Sequence, residues 1–277
     1  MNETIEQIKF RSQLMGQFYT HKNIGEKLIN GIFKVIKKNN VKVFTIIDPF
    51  CGDGRLVCWL LEKLASARDL VDNEVNIELW DYDQSALKKA VANVYKAGIT
   101  LQLNINIISR CVDTFENSKD YFETFNIVVT NPPWALLKPN KGKLKELTDE
   151  QVTEYKNWLK NRDKNLAKLY PLSQPKVKFS GWGTNLARCG TELALRLTSS
   201  QGVCGLISPA SLLADQMTEN LRYWILYEHH IHEIAYYPAE AKLFQEVDQS
   251  SITLVATRGH TNKFLSLLTV YDKECKL

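Results

Sequence analysis

The sequence predicts an α/β fold, in which a mainly parallel sheet of seven strands has helices on both faces. Two observations predict it. Seven short runs rich in β-branched and aromatic residues alternate with helix-like patterns along most of the chain, and such alternation is typical of a parallel sheet covered on both sides. The chain has 277 residues, 44% hydrophobic and 24% charged, a composition that can form a packed core.

The strand-like runs are 43–47, 77–80, 103–108, 126–130, 203–207, 232–237 and 251–257. Helix-like patterns lie at 22–33, 55–65, 85–98 and 192–199. In the third of these, Leu87 and Ala90 share one helix face, and Gly98 is a stop signal. Residues 138–183 interrupt the alternation between the fourth and fifth strands. Because this segment is too long for a bare connection, we expect it to be functional or partly helical, with a helix over 148–170.

The net charge is only +4, but it is unevenly distributed. Residues 135–180 hold ten Lys and one Arg against five acidic residues, a local charge of +6 that leaves −2 for the remainder. A basic segment on a near-neutral body suggests contact with a polyanion, and interleaved aromatic residues suit phosphate contacts and duplex distortion. These aromatic residues are Tyr155, Trp158, Tyr170, Phe179 and Trp182. The alternative is a solvated Lys-rich insertion whose helix packs its aromatic side chains inward.

The six cysteines, at positions 51, 58, 111, 189, 204 and 275, are scattered and form no C-x-x-C pair. This spacing argues against a structural zinc site and against a disulfide framework, and it favours a reducing cytoplasm. The N-terminus is polar, and no apolar run approaches the roughly 18–20 residues of a membrane span. We therefore expect a cytoplasmic protein without a signal peptide.

A glycine-containing turn follows the first predicted strand in the stretch IIDPFCGDGRLVCWLL, residues 46–61. Gly52 and Gly54 allow the backbone to turn sharply and to approach a ligand closely. The following helix directs unpaired N–H groups toward that ligand. Asp48, at the end of the strand, can accept a hydrogen bond from a cationic amino group. The alternative is a βα turn that serves packing alone.

Two further acids follow the next two strands. Asp81 ends the second strand, at the position where doubly wound folds place an acceptor for ribose hydroxyls. Asp113 follows the third strand, and Asp83 is a candidate N-cap for the intervening helix. The alternative is that each of these acids has only a structural role, as a helix cap or a turn residue. Together with Asp48 they outline one crevice at the carboxyl edge of the sheet, where open α/β sheets bind ligands.

The fourth strand ends in the tetrapeptide Asn131-Pro132-Pro133-Trp134. Neither proline can continue a sheet ladder, since each lacks an N–H group and has a fixed φ. The strand therefore stops at Asn131, beside the crevice outlined by the three acids. The alternative is a simple strand-ending turn whose tryptophan packs on the core.

Together these motifs resemble a known family, the S-adenosylmethionine-dependent, adenine-specific (N6) DNA methyltransferases of the γ motif order and NPPW type. The matching segments are GQFYT (16–20), DPFCGDG (48–54), WDYD (80–83), NPPW (131–134), NLARCGTELALRL with GVCGLISPASLL (185–213) and FQEVDQSSITLVATR (244–258). The resemblance implies a Rossmann-like class I methyltransferase fold, with a seven-stranded sheet that ends in an antiparallel hairpin. It also implies S-adenosyl-L-methionine as cofactor and double-stranded DNA as substrate.

The resemblance also implies site residues. The catalytic residues would be Asn131, Pro132, Pro133 and Trp134. The cofactor-binding residues would be Thr20, Asp48, Phe50, Gly52, Gly54, Asp81, Asp113 and Asn131. The amine of adenine is a poor nucleophile because its lone pair is delocalised into the ring. Acceptors from Asn131 and the Pro132 carbonyl would favour the pyramidal nitrogen, and Trp134 would stack on the flipped base. Direct transfer then needs neither a covalent intermediate nor a metal.

The chain also departs from the family pattern. Asp53 replaces a residue that is commonly small, and His21 replaces a common proline, although Thr20 is still expected to cap the following helix. Only about 19 residues follow Arg258. We therefore expect one catalytic domain over 1–277, with an insertion at about 135–183 that contacts DNA and without a target-recognition domain. A protein partner or subunit would then read the sequence, in a bacterial or archaeal restriction-modification or phage-defence system associated with the nucleoid.

Other functions stay open at this point. The same motifs are compatible with methylation of cytosine N4, of RNA amino groups or of a protein glutamine, or with a non-catalytic DNA-binding subunit. Cys51 lies in the glycine turn, but the sequence offers no basic partner for it, and we interpret it as a small packed residue. The histidines in EHHIHE (228–233) match no familiar metal-ligand spacing.

Overall fold

The computed structural model describes residues 6, 20–139, 141–145, 147–176, 183–242, 249–259, 267–274 and 276. Within these residues the strands form a single sheet in the order β3-β2-β1-β4-β5-β7-β6-β8. The strands are β1 (Val43–Asp48), β2 (Val71–Asp81), β3 (Ile105–Cys111), β4 (Phe125–Thr130), β5 (Thr198–Pro209), β6 (His229–Tyr237), β7 (Ser251–Arg258) and β8 (Leu267–Val270).

The first five strands of this order are parallel, and β7 runs antiparallel to both β5 and β6. The predicted α/β class and the antiparallel hairpin are therefore confirmed. The predicted strand count is wrong, because β8 adds an eighth strand, parallel to β6. This edge strand has only four residues, and both Leu268 and Val270 are more than half exposed. It thus lacks the buried run by which the other strands are recognised.

The helices cover both faces of the sheet. They are α1 (Lys22–Asn39), α2 (Arg55–Leu64), α3 (Gln84–Leu101), α4 (Thr114–Asn117), α5 (Lys141–Leu144), α6 (Asp149–Leu169), α7 (Leu186–Leu197), α8 (Ser211–Ala214) and α9 (Glu219–Glu228). Side chains from α1, α2 and α3 form one core with the sheet, and side chains from α6, α7 and α9 form the other. In β4, Ile127 and Val129 enter the first core and Val128 the second, so both faces of the strand are buried, as expected in a parallel sheet.

The N-terminal cap of α1 differs from the sequence expectation. His21 is the cap, because its Nδ1 accepts a hydrogen bond from the Asn23 N–H at 3.3 Å. Thr20 lies one residue earlier, and its hydroxyl accepts from the Asn131 side-chain amide at 3.3 Å. The predicted capping role of Thr20 is therefore wrong, and this side chain contacts the NPPW loop instead.

Between β4 and β5, the predicted helix over 148–170 is confirmed as α6, which begins with a capping box between Thr148 and Gln151. Its buried face consists of Tyr155, Leu159, Arg162 and Leu166, which recur at helical spacing. The helix predicted at 192–199 instead spans Leu186–Leu197 and is followed directly by β5.

The aromatic residues of the insertion have different locations. Tyr155 and Tyr170 are fully buried in the second core, and Trp158 is partly buried against it. Phe179 and Trp182 lie outside the described residues. The inward-packing alternative therefore holds for both tyrosines, and the exposed face of α6 is mainly polar.

No helix in the described part of the chain is long and apolar enough to cross a membrane. The five cysteines at described positions, Cys51, Cys58, Cys111, Cys189 and Cys204, are free thiols.

We expect the substitution Tyr170→Phe to lower the free energy of unfolding by about 1–3 kcal/mol. The Tyr170 hydroxyl donates to the Phe115 carbonyl at 2.7 Å and lies 3.0 Å from the Ser118 hydroxyl, so its removal leaves a buried carbonyl without its donor. Urea denaturation measures the change. As a matched control, Tyr95→Phe alters a tyrosine that is 60% exposed and should change stability by less than about 0.5 kcal/mol. Equal effects of the two substitutions would contradict the assignment.

Candidate active site

The candidate site is a crevice at the carboxyl ends of β1, β2, β3 and β4. Its lining residues are Thr20, Asp48, Phe50, Cys51, Gly52, Asp53, Arg55, Leu56, Asp81, Tyr82, Asp113, Thr114, Phe115, Asn131, Pro133, Leu137, Arg162 and Leu186. Parallel strands end at one edge of a sheet, and the crevice therefore collects side chains from distant parts of the sequence.

Most of the residues predicted for the site lie together in this lining. They are Thr20, Asp48, Phe50, Gly52, Asp81, Asp113, Asn131 and Pro133. Three predicted residues, Gly54, Pro132 and Trp134, are not part of the lining. Residues 16–19 of the GQFYT motif lie outside the described residues, so only its Thr20 is placed.

The glycine turn depends on backbone conformations that favour glycine. Gly52 has φ 53° and Gly54 has φ 79°, in the left-handed region that other residues rarely occupy. A Cβ atom on Gly54 would also lie 3.0 Å from the Ala90 Cα. Gly54 thus lets α2 start close against α3, and it has no capping side chain. The N-terminus of α2 consequently faces the crevice, where Arg55 and Leu56 contribute to the lining.

Asp48 is the most deeply buried carboxylate of the crevice, with 1% exposure. Its Oδ1 accepts from the Thr130 hydroxyl at 2.8 Å and from the Phe50 N–H at 3.2 Å. The pKa of Asp48 is raised to about 7, mainly by burial and to a lesser extent by the nearby acids Asp81 and Asp53, while the two hydrogen bonds oppose the shift. A cation in the crevice would favour the ionised form of this group.

Asp81 connects the second strand to the glycine turn. Its Oδ2 accepts from the Gly52 N–H and its Oδ1 from the Asp83 N–H, both at 2.8 Å. Asp83 caps α3 by accepting from the Ser85 N–H at 2.7 Å, which confirms its predicted capping role. Asp81 is 2% exposed, so its orientation toward the crevice is fixed by backbone donors on both sides.

Asp53, the unusual residue of the glycine turn, forms an ion pair with the first residue of α2. The Arg55 Nε donates to its Oδ1 at 2.9 Å, and the Arg55 Nη2 donates to its Oδ2 at 2.6 Å. The Arg55 Nη1 also donates to the Thr20 carbonyl at 2.9 Å. Arg55 therefore offsets the added negative charge and ties the N-terminal segment to the turn.

Asp113 pairs with an arginine that the sequence analysis did not predict for the site. The Arg162 Nη2 lies 2.5 Å from the Asp113 Oδ2, and the Arg162 Nη1 donates to Glu116 at 2.6 Å. Asp113 also caps α4 by accepting from the Phe115 N–H at 3.1 Å. Burial raises the pKa of Asp113, and Arg162 opposes that shift. One signal was present in the sequence, because Arg162 is the single arginine of the Lys-rich segment.

The loop that follows Asn131 is held by backbone hydrogen bonds to the start of α7. The Leu186 N–H donates to the Ala135 carbonyl at 2.8 Å, and the Leu137 N–H donates to the Thr184 carbonyl at 2.9 Å. The Pro132 ring packs against Gly190 of α7, where an added Cβ would lie only 2.3 Å from the Pro132 Cβ.

Trp134 is partly buried against the first core, so its ring belongs to this packed loop. The loop therefore has a defined conformation.

Cys51 is 5% exposed, and burial raises the pKa of its thiol well above the ordinary value. A thiol held neutral in this way is a poor nucleophile, in agreement with the interpretation of Cys51 as a packed residue.

Among the described positions, no group of three or more His, Cys, Asp or Glu side chains is arranged to hold a metal ion. The lining contains four carboxylates and two guanidinium groups, a balance that suits a ligand with a positive charge.

Comparison with known proteins identifies the chain. A model of the family described as Eco57I restriction-modification methylase matches residues 55–244. The methylase subunit of the type I restriction enzyme MjaIX from Methanocaldococcus jannaschii is 30% identical over 123 residues, which are 44% of this chain and 19% of that subunit. The chain therefore spans about a fifth of that relative.

Solved structures share the fold, among them the following two. A Listeria monocytogenes protein assigned as a class I S-adenosylmethionine-dependent methyltransferase has a TM-score of 0.59 at 16% identity, covering 94% of this chain and 66% of its own. DrdV, in its complex with DNA, has a TM-score of 0.65 at 13% identity, covering 95% of this chain and 28% of its own. The fold is that of class I S-adenosylmethionine-dependent methyltransferases. The chain belongs to the Eco57I restriction-modification methylase family, because the family model matches more than half of the length of this chain.

Proposed function

We propose that this protein transfers a methyl group from S-adenosylmethionine to the exocyclic N6 of adenine in DNA, within a restriction-modification or phage-defence system. The observation that carries the proposal is the position of Asn131, which lines the same crevice as Asp48, Asp81 and Asp113. A candidate amine-binding group thus lies beside a candidate cofactor site. Membership in a restriction-modification methylase family supports the same reaction.

The crevice suits the chemical groups of S-adenosylmethionine. When bound, this cofactor supplies an electrophilic methyl group on a cationic sulfonium. We assign Asp48 to the amino group of its methionine part, Asp81 to its ribose hydroxyls and Asp113 to its adenine side. Gly52 allows close approach of the backbone, and Phe50 contributes an apolar surface that is packed against Phe115 at a centroid distance of 5.0 Å.

The NPPW loop would hold the target amine. The Asn131 side chain and the Pro132 carbonyl act as acceptors for its two N–H groups, and the fixed φ of both prolines limits the entropy lost on binding. Trp134 stacks on a base that has been flipped out of the duplex, a contact worth about 1–3 kcal/mol. The amine nitrogen would bond to the methyl carbon as the carbon–sulfur bond breaks and S-adenosylhomocysteine leaves, and the nitrogen would then lose a proton to solvent, without a covalent enzyme intermediate.

The exposed face of α6 is the proposed DNA contact of the insertion. Lys156, Lys160, Lys164 and Lys168 are exposed and recur every four residues, which places successive lysines about 6 Å apart along the helix. Beside them lie the exposed residues Asn157, Asn161 and Asn165. Ammonium and amide groups in such a row can donate to successive phosphate oxygens. The contact would be independent of base sequence.

Sequence recognition requires a second element in this proposal. All strands of the described residues belong to the one sheet that carries the crevice. We therefore assign target recognition to a protein partner or to further polypeptide that acts together with this chain.

The reaction is tested with a tritiated methyl donor offered separately with duplex DNA, RNA and a release-factor protein, followed by mass spectrometry of the modified base. We expect N6-methyladenine in the DNA. We also expect Asn131→Ala to lower the transfer rate by about a hundredfold or more, because the target amine loses its side-chain acceptor, while the cofactor dissociation constant changes little. Transfer to RNA or protein instead of DNA, or near-normal transfer by Asn131→Ala, would contradict the proposal.

We expect cofactor affinity to fall about tenfold for each pH unit below the Asp48 pKa of about 7. The direction of this pH dependence follows from the charge of the ligand. A cationic ligand stabilises the ionised Asp48 carboxylate, so a protonated Asp48 must lose its proton before the ligand binds. Calorimetry in two buffers with different ionisation enthalpies should detect release of a proton. In Asp48→Asn the affinity should be lower and independent of pH over this range, and an unchanged pH profile in that variant would exclude Asp48 as the titrating group.

We expect weaker DNA binding when four lysines of α6 are replaced together by Gln, namely Lys156, Lys160, Lys164 and Lys168. The dependence of log affinity on log salt concentration should also become less steep. The slope should decrease by about one for each phosphate that these lysines neutralise. The control variant substitutes Lys34, Lys88, Lys89 and Lys96, four exposed lysines on α1 and α3, and so removes the same net charge. Fluorescence anisotropy over a series of salt concentrations measures the DNA affinity and its salt dependence for both variants. If the slope decreases equally in the two variants, the effect comes from net charge rather than from α6.

A further inference from the structure

Two adjacent residues of α6 contact opposite sides of the crevice. Arg162, which is 5% exposed, approaches Asp113 at 2.5 Å and Glu116 at 2.6 Å. The next residue, Asp163, accepts at its Oδ1 from both the N–H and the hydroxyl of Thr184, each at 2.7 Å. These are charge-assisted hydrogen bonds, which are the stronger class.

The two contacts lead to different parts of the site. On the cofactor side, Asp113 follows β3, and Thr114 and Phe115 continue the lining of the crevice. On the NPPW side, the Thr184 carbonyl accepts from the Leu137 N–H at 2.9 Å. Leu137 lies three residues after Trp134, so Asp163 is connected through a single residue, Thr184, to the loop that begins with Asn131.

These two sides are not neighbours in the sheet. The strand order places β2 and β1 between β3 and β4. Arg162 and Asp163 of α6 therefore link the segment that follows β3 to the loop that follows β4. The position of α6 is fixed by Tyr155, Leu159 and Leu166 in the second core. A helix anchored in this way can set the distance between the two sides.

We propose that Arg162 and Asp163 are positioning residues: Arg162 holds the cofactor side of the crevice through Asp113, and Asp163 holds the NPPW loop through Thr184. The proposal deepens the proposed function and rests on it for the identity of the cofactor. The proposal predicts that substitutions of Arg162 and of Asp163 affect different steps of the reaction. Loss of the Arg162 ion pair alters cofactor binding, and loss of the Asp163 hydrogen bonds alters the transfer step.

The reason for the first effect is electrostatic. Without Arg162, the partly buried Asp113 carboxylate would lose its cation, and its position would change. Within the described part of the chain, the other titratable groups near Asp113 include Glu116, Tyr82 and Tyr170, none of which can replace a cation. The Asp113 pKa would then rise, and cofactor affinity in the variant should recover as the pH is raised. A purely packing role of Arg162 would give no such recovery.

The test uses the full chain and begins with calorimetry of S-adenosylmethionine binding without nucleic acid. We expect Arg162→Met to weaken binding by about tenfold or more, with partial recovery at higher pH, and Arg162→Lys to retain more affinity than Arg162→Met. We expect Asp163→Asn to leave the dissociation constant within about twofold.

The second part measures transfer to DNA and amide hydrogen exchange. Asp163→Asn should lower kcat by about tenfold to a hundredfold with the KM for S-adenosylmethionine unchanged, and Thr184→Val should do the same. Both variants should accelerate amide exchange over residues 131–139. Exchange and cofactor binding test the two contacts even if DNA is not the substrate, so failure of the proposed function would be recognised separately.

The matched control is Arg196→Met, which removes the ion pair of Arg196 with the fully buried Glu192, 2.5 Å apart on α7. This substitution should lower the melting temperature without changing the dissociation constant of S-adenosylmethionine or kcat. If Arg162→Met and Asp163→Asn resemble this control, or if both change cofactor affinity and kcat in the same proportion, the proposal is wrong.

Discussion

Parallel pairing of β1 with both β2 and β4 is the constraint on which the rest of the structure depends. The register pairs Asp48 with Leu79 and Ile47 with Val128, so the three strands end within two residues of one another. Asp48, Asp81 and Asn131 then meet in a single crevice although 83 positions of the sequence separate the first from the last. A shift of one residue in either pairing would turn these side chains away from the crevice.

Burial gives the crevice its chemical character. Two nearly inaccessible carboxylates, Asp48 and Asp81, are retained because backbone N–H groups and the Thr130 hydroxyl donate to them. Hydrogen bonds of this kind offset much of the cost of removing a carboxylate from water. The raised pKa of Asp48 shows that the offset is incomplete, so the crevice favours a cationic ligand.

Much of the fold could be predicted because the central strands β4, β5 and β7 are buried on both faces and consist largely of continuous apolar runs. The prediction was weakest where pairing rather than composition extends a strand. The first half of β2 contains Asp72, Asn73 and Glu74, yet Val71 pairs with Val43. Thr198 belongs to β5 because it pairs with Phe125, although it follows the pattern of the preceding helix.

The sequence by itself determined the order of elements, the three acids that follow successive strands and the point at which the prolines end β4. These features depend on local chemistry, namely hydrophobic periodicity, glycine conformation and the missing N–H of proline. Only the tertiary structure decided that Arg162 faces Asp113, that Asp163 faces Thr184 and that two of the insertion's aromatic residues belong to the core. The physical reason is that the partner of a side chain on an amphipathic helix depends on how the helix packs, which its own residues do not specify.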